Sequence, residues 1–206
     1  MVRYPDRTGL ILAGGIGSRL GGMDKAFLEI GERSFIQRLL DLMGNLFGRT
    51  LIVTNDPKPY QGLKTRVVTD LIPGRGAIMG LLTGLFYAPT EWSFVTACDT
   101  PLLKKELVEL VMESIGSREM VILPRTPDGL QPLTAAYHRD CRLHLSRLEE
   151  SGERSIRALY GRVEVKEIGP ETIQEVDPGL ESFLNINTPQ DLAKLSKTGG
   201  FRRMAG

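Results

Sequence analysis

Short apolar runs that alternate with amphipathic segments are the feature that most constrains the fold of this chain. Runs of this length suit buried, mainly parallel strands, and they predict strands at residues 9–13, 51–54, 66–69, 93–97 and 120–123. Two segments between them predict crossover helices at 34–46 and 104–115, and Ser34 and Gln37 form a capping box in the first. The first half of the chain therefore predicts a doubly wound α/β layer.

The pattern after Pro124 is looser. It predicts a strand at 133–137, a helix at 139–149, a short helix at 155–160 and a strand at 163–168. Thr188 as N-cap and Pro189 at the first helical position predict a final helix that ends near Gly199. The chain has 206 residues, of which 41% are hydrophobic, which is enough for one α/β domain and too short for two. We therefore expect a single domain.

Charge and targeting signals exclude several classes of partner. The chain has 26 basic and 25 acidic side chains, so its balanced charge does not favour nucleic acid or an anionic membrane as partner. The first residues lack the apolar core of a secretory signal, and the apolar stretch 77–88 is too short to span a bilayer. Cys98 and Cys141 have no metal-binding spacing and are interpreted as reduced thiols. We expect a soluble, cytoplasmic monomer.

A glycine-rich loop follows the first predicted strand. In LILAGGIGSRLGGMDKAFL, residues 10–28, an apolar run ends in glycines, and Arg19 and Lys25 follow. Glycines allow backbone N–H groups to approach an anion closely, which predicts a phosphate-binding loop. The loop fails the dinucleotide-binding pattern because Leu20 replaces the third glycine, and it fails the P-loop pattern because Met23 and Asp24 replace lysine and a hydroxyl residue.

The remaining pattern is L-A-G-G-x-x-x-R-L-G-G-x-D-K, and two further motifs follow it: A-C-D-T-P at 97–101 and F-L-N-I-N-T-P at 183–189. Over nearly its whole length the chain resembles the nucleotidyltransferases, most closely the molybdenum cofactor guanylyltransferases of the MobA type, although Leu20 stands where that family usually has methionine. The resemblance implies a single-domain, three-layer Rossmann-like nucleotidyltransferase fold with a mostly parallel central sheet. It also implies a nucleotide-binding half at 1–124, an acceptor-binding half at 125–198 and a flexible tail at 199–206.

The resemblance implies that Asp99 is the ligand of Mg²⁺ and is catalytic together with Arg19 and Lys25. Asp99 directly follows a predicted strand, so its carboxylate is expected at the edge of the sheet where ligands bind. The alternative is that Asp99 caps the following helix. Arg19 and Lys25 supply positive charge to the reacting phosphate. An acceptor that is a phosphate monoester is already anionic near pH 7, so His138 and His144 are interpreted as surface or structural residues.

The resemblance also implies the residues that bind the nucleotide: Leu12, Ala13, Gly14, Gly15, Lys25, Asn55, Asp70, Gly76, Gly80 and Asp99. Asn55 and Asp70 follow the second and third strands, and either can read a guanine edge or a ribose; the alternative for Asn55 is a plain turn. Gly76 and Gly80 belong to residues 73–80, which resemble the family's second glycine-rich loop. Arg75, in the same stretch, meets a phosphate in one interpretation and is solvated in the other.

The resemblance implies that Asn185 and Asn187 lie at the acceptor or metal side and bind the acceptor; the alternative is that they belong to a loop that caps the helix at Thr188. The predicted reaction transfers GMP from GTP to the terminal phosphate of molybdopterin cofactor, depends on Mg²⁺ and releases pyrophosphate. GTP and molybdopterin cofactor are then the partners, with transient contacts to proteins that deliver or receive the cofactor. The alternatives are a cytidylyltransferase, a nucleotidyltransferase that uses a sugar or isoprenoid phosphate, and a nucleotide or cofactor carrier without turnover.

Overall fold

An eight-stranded sheet lies at the centre of the molecule. The computed structural model describes residues 2–14, 19–20, 23–186 and 191, without the side chains of residues 19, 20 and 23. The strands of the central sheet are β1 (Tyr4–Leu12), β6 (Phe47–Thr54), β7 (Arg66–Thr69), β8 (Trp92–Ala97), β9 (Val121–Thr126), β10 (Gly129–Leu130), β11 (Thr134–His138) and β12 (Val165–Ile168). Two small ribbons are formed by β2 (Arg19–Leu20) with β3 (Met23–Asp24) and by β4 (Glu29–Ile30) with β5 (Arg33–Ser34).

The sheet is mostly parallel, with the order β10-β9-β11-β8-β1-β6-β7 and with β12 paired to β9. Strand β1 pairs in parallel with both β6 and β8, and β7 extends this half. Only β11 and β10 run in the opposite direction within the described sheet. Leu12 lies opposite Val53 on one side and Ala97 on the other, so the chain leaves β1, β6 and β8 at the same edge.

Helices cover both faces of this sheet. The described α-helices are α1 (Phe35–Leu46), α2 (Ala77–Tyr87), α3 (Lys105–Glu113), α4 (Cys141–Glu150) and α5 (Pro170–Val176); short 3₁₀ helices lie at Lys25–Phe27, Lys58–Tyr60, Ile156–Gly161 and Glu181–Phe183. Ile11 of β1 packs into the core formed with α1, α3 and α5. Leu10 and Leu12, which point to the opposite face, pack into the core formed with α2 and α4. Burial on both faces explains why the strand is an unbroken apolar run.

The predicted α/β fold is confirmed, and the differences have local causes. Helix α1 begins at the predicted capping box, in which the N–H of Gln37 donates to the Ser34 hydroxyl and the N–H of Ser34 donates to the Gln37 side chain. The seven-residue α5 was not predicted, because Ile173 is its one fully buried side chain and leaves no apolar period to detect. The predicted final helix lies outside the described residues except for Asp191.

The predicted second glycine-rich loop needs a correction. Helix α2 begins at Ala77, so Gly76 is its N-cap and Gly80 lies inside the helix instead of in a loop. The run 77–88 was considered only for its apolar character; it forms a helix that is buried along most of its length. In the part of the chain that the structure describes, no helix has the length and apolar character needed to cross a membrane.

Candidate active site

A cleft of about 610 Å³ opens where β1, β6 and β8 end. One wall is formed by residues of the first half of the chain, near the end of the sheet. They are Leu12, Gly14, Lys25, Val53, Asp70, Gly76, Ala77, Gly80, Ala97, Cys98, Asp99 and Thr100. The other wall contains Asp128, Leu130, Gln131, Pro132, Leu133, Thr134 and Arg157, and Phe183 and Asn185 complete the lining. Most of the predicted site residues that the structure describes are thus brought to one cleft.

Asp99 lies at the end of β8 and faces the cleft. Its Oδ1 is buried and has no hydrogen-bond partner among the described residues. Burial raises the pKa of Asp99, while a bond to its own backbone N–H and the positive charge of Lys25 act in the opposite direction. The next helix, α3, begins at Lys105 with Lys104 as N-cap, so the alternative role of Asp99 as a helix cap is excluded.

Lys25 is held in place by its neighbour Asp24. The carboxylate of Asp24 accepts from the backbone N–H of Ala26 at 3.0 Å and caps the 3₁₀ helix that begins at Lys25. Its second oxygen accepts from the hydroxyl of Tyr60 at 2.7 Å, and Tyr60 is fully buried. In the G-G-M-D-K motif, Lys25 therefore lines the cleft and Asp24 orients Lys25. The sequence analysis assigned no role to Asp24.

Asp70 lies at the other end of the same wall and is 8% exposed. Burial raises the pKa of Asp70, and a hydrogen bond from the Asn55 side chain opposes this shift. Its Oδ1 is buried without a hydrogen-bond partner among the described residues. Asn55 itself packs against Gly14, where a Cβ atom would lie 3.2 Å from the backbone nitrogen of Asn55. Asn55 is therefore not among the residues that line the cleft, but its side chain is hydrogen-bonded to Asp70, which is.

Several other predicted residues are placed as follows. The backbone of Arg19 pairs with Asp24 in the β2–β3 ribbon, but its side chain lies outside the described residues, as do Gly15 and Asn187. Arg75 lies 3.4 Å from the carboxylate of Glu149 on α4 and is not among the residues that line the cleft. Ala13 is buried beside the cleft, and its carbonyl accepts from the hydroxyl of Thr54.

The two cysteines are free thiols and the histidines lie away from the cleft lining. Burial raises the pKa of the Cys98 thiol far above its ordinary value, so this group beside Asp99 stays protonated. Burial also raises the pKa of Cys141, to about 12. His138 contacts Glu91 and Asp140, and it packs edge-on against Trp92. The positions of Cys98, Cys141 and His138 agree with structural roles for these residues.

Asn185 is brought beside Asp99 by the chain around it. The backbone N–H of Ile186 donates to the carbonyl of Asp99 at 2.9 Å. The preceding segment is anchored by the fully buried Asp177, whose carboxylate lies 2.8 Å from Nζ of Lys104 and accepts from the N–H of Ser182 at 2.9 Å. Burial alone would raise the pKa of Asp177, but the hydrogen bonds from Lys104 and Ser182 outweigh it and hold the pKa below its usual value.

The opposite wall contains polar residues that the sequence analysis did not single out. Gln131 donates from its side chain to the hydroxyl of Thr126 at 2.8 Å, which closes the β9–β10 hairpin. Asp128 and Arg157 are exposed side chains on the same wall. Asp128 lies in a tight hairpin, and Arg157 lies on the 3₁₀ helix Ile156–Gly161, where a short helix was predicted. No motif in the sequence marks either residue as part of a site.

Comparison with known proteins agrees with this arrangement. Residues 9–166 match the MobA-like NTP transferase domain. The molybdenum cofactor guanylyltransferase of Desulfosudis oleivorans is 37% identical over 187 residues, which cover 91% of this chain and 93% of that protein. The probable molybdenum cofactor guanylyltransferase of Pelotomaculum thermopropionicum is 32% identical over 91% of this chain and 90% of its own.

Solved structures agree as well. The crystal structure of molybdopterin-guanine dinucleotide biosynthesis protein A from Archaeoglobus fulgidus superposes with a TM-score of 0.78 at 29% identity, covering 93% of this chain and 97% of that one. The fold is that of the nucleotidyltransferases, and the chain is an enzyme of that class. Within that class, the chain belongs to the MobA-like NTP transferase family.

Proposed function

We propose that this enzyme transfers GMP from GTP to the terminal phosphate of molybdopterin cofactor and releases pyrophosphate. The observation that carries the proposal is that two carboxylates lining the cleft, Asp70 and Asp99, each have a buried Oδ1 without a hydrogen-bond partner among the described residues. Asp99 lies where it interacts with Lys25, and Asp70 lies at the other end of the wall. The names of the relatives at 37% and 32% identity support guanine as the base and the molybdenum cofactor as the acceptor.

Asp99 suits a magnesium ion. Mg²⁺ in nucleotide enzymes is held by one or two carboxylates together with substrate phosphates, and Asp99 offers a buried oxygen with no other partner among the described residues. Those residues contain no cluster of three acidic, histidine or cysteine side chains that would hold a metal by itself. When bound at Asp99, Mg²⁺ supplies neutralisation of the charge on the phosphate oxygens.

The reaction needs charge stabilisation more than a base. An oxygen of the acceptor phosphate forms a bond to the α-phosphorus of GTP, and the bond from that phosphorus to the bridging oxygen of the β-phosphate breaks, so that pyrophosphate leaves. The attacking oxygen is already anionic near pH 7. Lys25, held by Asp24, stabilises the negative charge that develops around the α-phosphate. The glycines of the wall, Gly14, Gly76 and Gly80, have no side chains and leave space for the phosphates.

Asp70 supplies the base or ribose contact in this proposal. Its unpartnered Oδ1 can accept from the N1–H and N2–H₂ groups of guanine or from ribose hydroxyls. Cytosine offers only N4–H₂ beside a bare acceptor, so a site built for guanine would leave polar groups unpaired, at a cost of roughly 1–3 kcal/mol per buried group.

The test is a nucleotide screen with molybdopterin cofactor as acceptor. Dinucleotide product is measured by mass spectrometry, pyrophosphate release is measured in parallel, and kcat/KM is compared for GTP, CTP and ATP. We expect GTP to be preferred by about ten- to a hundredfold. A preference for CTP would overturn the assignment of guanine as the base, and the protein would still be a nucleotidyltransferase. Absence of product with every nucleotide would overturn the choice of acceptor.

A further inference from the structure

The second wall of the cleft contains a cation to which the reaction as described above assigns no role. Of the described residues that line the cleft, Lys25 and Arg157 carry positive charge, and they belong to opposite walls. Lys25 follows the glycine-rich loop on the nucleotide wall. Arg157 lies on the 3₁₀ helix Ile156–Gly161, on the wall formed with the β9–β10 hairpin. The two charges are thus divided between the two sides of the cleft.

Arg157 is not committed to an ion pair with the described residues. Its Nη2 lies 3.4 Å from the carbonyl of Leu130, a long hydrogen bond to an uncharged acceptor. Two nearby arginines differ in this respect: Arg125 pairs with Glu167 at 2.6 Å, and Arg154 lies 3.6 Å from Glu149. A guanidinium has five N–H donors in a planar fork that matches phosphate oxygens. Arg157 therefore keeps donors for a ligand.

The helix that carries Arg157 is a rigid support. Ile156 and Leu159 are buried in the core on the α2 and α4 face, and the hydroxyl of Ser155 accepts from the N–H of Arg157. The hydroxyl of Tyr160 lies 3.2 Å from that of Tyr137, which donates to the carbonyl of Pro132 at 2.8 Å. These bonds join the helix to β11 and to the segment that follows β10. The position of the Arg157 backbone is therefore fixed by the surrounding fold.

A cation on this wall meets a physical requirement of the reaction. Two phosphate groups must approach each other, and the acceptor phosphate carries close to two negative charges near pH 7. Their mutual repulsion in a partly enclosed cleft is larger than in water because fewer water molecules screen it. Lys25 lies on the nucleotide side, so a second cation on the far side is needed to hold the acceptor phosphate close to the α-phosphate of the nucleotide.

We propose that Arg157 binds the phosphate of the acceptor and sets the affinity of the enzyme for phosphate monoester acceptors. This inference rests on the proposed function for the identity of the acceptor. It assigns a side chain of the chain's second half, outside the three signature motifs, to direct contact with the substrate. The nucleotide is bound by the opposite wall, so loss of Arg157 weakens the binding of the acceptor and leaves the binding of the nucleotide unchanged.

The experiment compares Arg157→Gln and Arg157→Lys with Arg162→Gln, which removes the same charge from an exposed position directly after the same helix and outside the cleft lining. We expect Arg157→Gln to raise the KM for molybdopterin cofactor at least about tenfold, as removal of a charge-assisted hydrogen bond does. The KM for GTP should stay within about twofold, Arg157→Lys should recover part of the loss, and Arg162→Gln should resemble the unmodified protein. An unchanged acceptor KM in Arg157→Gln, or an equal rise in both KM values, would overturn the inference.

Direct binding keeps this test separate from the proposed function. Titration of molybdopterin cofactor into the protein without nucleotide, followed by fluorescence, should give a Kd that rises in Arg157→Gln and not in Arg162→Gln. That result supports the inference even if CTP proves to be the nucleotide. If the unmodified protein does not bind molybdopterin cofactor, the proposed function and this inference are both wrong. If it binds and all variants bind equally, the inference alone is wrong.

Discussion

At the scale of single residues, the ionised carboxylate of Asp99 destabilises the folded protein when no ligand is bound. Burial raises its pKa above the ordinary value of 3.8, so the fold disfavours the ionised carboxylate. The native state therefore binds more protons than the unfolded state between pH 3.8 and the raised pKa, and this residue's contribution to stability falls as pH rises through that interval. Above the raised pKa the full cost is present.

Asp99→Asn should consequently stabilise the protein while it strongly reduces transfer. We expect a higher Tm at pH 7 without ligands, by about 2–4 °C for each kcal/mol recovered, and a gain that shrinks as pH is lowered toward 4. Transfer should fall by about 10²–10³-fold, because an amide carries no charge to hold Mg²⁺. Asp128→Asn, at an exposed position of the cleft, is the control for stability. An equal or lower Tm for Asp99→Asn would contradict the cost assigned to burial.

Tyr60 provides a second prediction at this scale. Its hydroxyl donates to Asp24, and Asp24 caps the helix that begins at Lys25. Tyr60→Phe removes only this bond, so we expect a loss of about 1.5–3 kcal/mol of stability in urea unfolding and a several-fold fall in kcat. Tyr4→Phe, whose hydroxyl lies 3.5 Å from Glu113 at an exposed site, is the matched control. A Tyr60→Phe enzyme with normal kcat would show that Lys25 is positioned independently of Tyr60.

At the scale of secondary-structure elements, the start of α2 decides the shape of the cleft wall that contains Asp70 and Asp99. Gly76 is the N-cap of α2 with φ +74° and ψ −166°, a combination that residues with a Cβ atom rarely adopt. The backbone therefore turns sharply into the helix beside Asp70, and the N-terminal end of α2 lines the cleft, where its dipole favours anionic groups.

Gly76→Ala should cost about 1–3 kcal/mol of unfolding free energy and weaken GTP binding, because alanine forces the turn into another conformation. Gly44→Ala is the matched control, since Gly44 lies at an exposed position inside α1 with open space around it. There alanine should stabilise the protein by about 0.5–1 kcal/mol. Urea unfolding of both variants measures the contrast, and similar effects at the two sites would refute the backbone argument.

At the scale of the whole molecule, one buried ion pair joins the C-terminal segment to the rest of the site. Lys104 contacts both Asp177, which is fully buried, and Glu181, which is 44% exposed. The segment that follows them carries Asn185 and hydrogen-bonds to Asp99 through Ile186. The position of Asn185 in the cleft therefore depends on a contact between two residues, Lys104 and Asp177, that are far apart in the chain.

Asp177→Asn should destabilise the protein by about 2–4 kcal/mol, because it breaks a buried pair from one side. Glu181→Gln, which removes the exposed partner of the same lysine, should cost about 1 kcal/mol or less. The pKa of Asp177 is lowered, so the pH dependence of stability has the opposite sign to that of Asp99. The stabilisation that Asp177 contributes is present above pH 3.8 and is lost as pH falls below that value. Chemical unfolding at pH 7 and pH 3 measures both effects. Equal costs for the two variants would contradict the buried pair.

The sequence by itself determined the class of fold and most of the cleft wall that contains Asp70 and Asp99. Continuous apolar runs such as residues 9–13 predict strands buried on both faces, and residues that directly follow parallel strands, such as Asp70 and Asp99, must emerge at one edge. These properties are local in the chain. They can be predicted because strand period, glycine loops and helix caps each depend on a few consecutive residues.

Only the tertiary structure decided the opposite wall and the supports of the site. Arg157 faces the cleft because a 3₁₀ turn is anchored through Tyr160 and Tyr137. Asp24 meets Tyr60 across 36 residues, and Lys104 meets Asp177 across an even longer separation. Contacts between residues so distant in the chain leave no periodic pattern, because each depends on the packing of whole elements and not on the residues next to it.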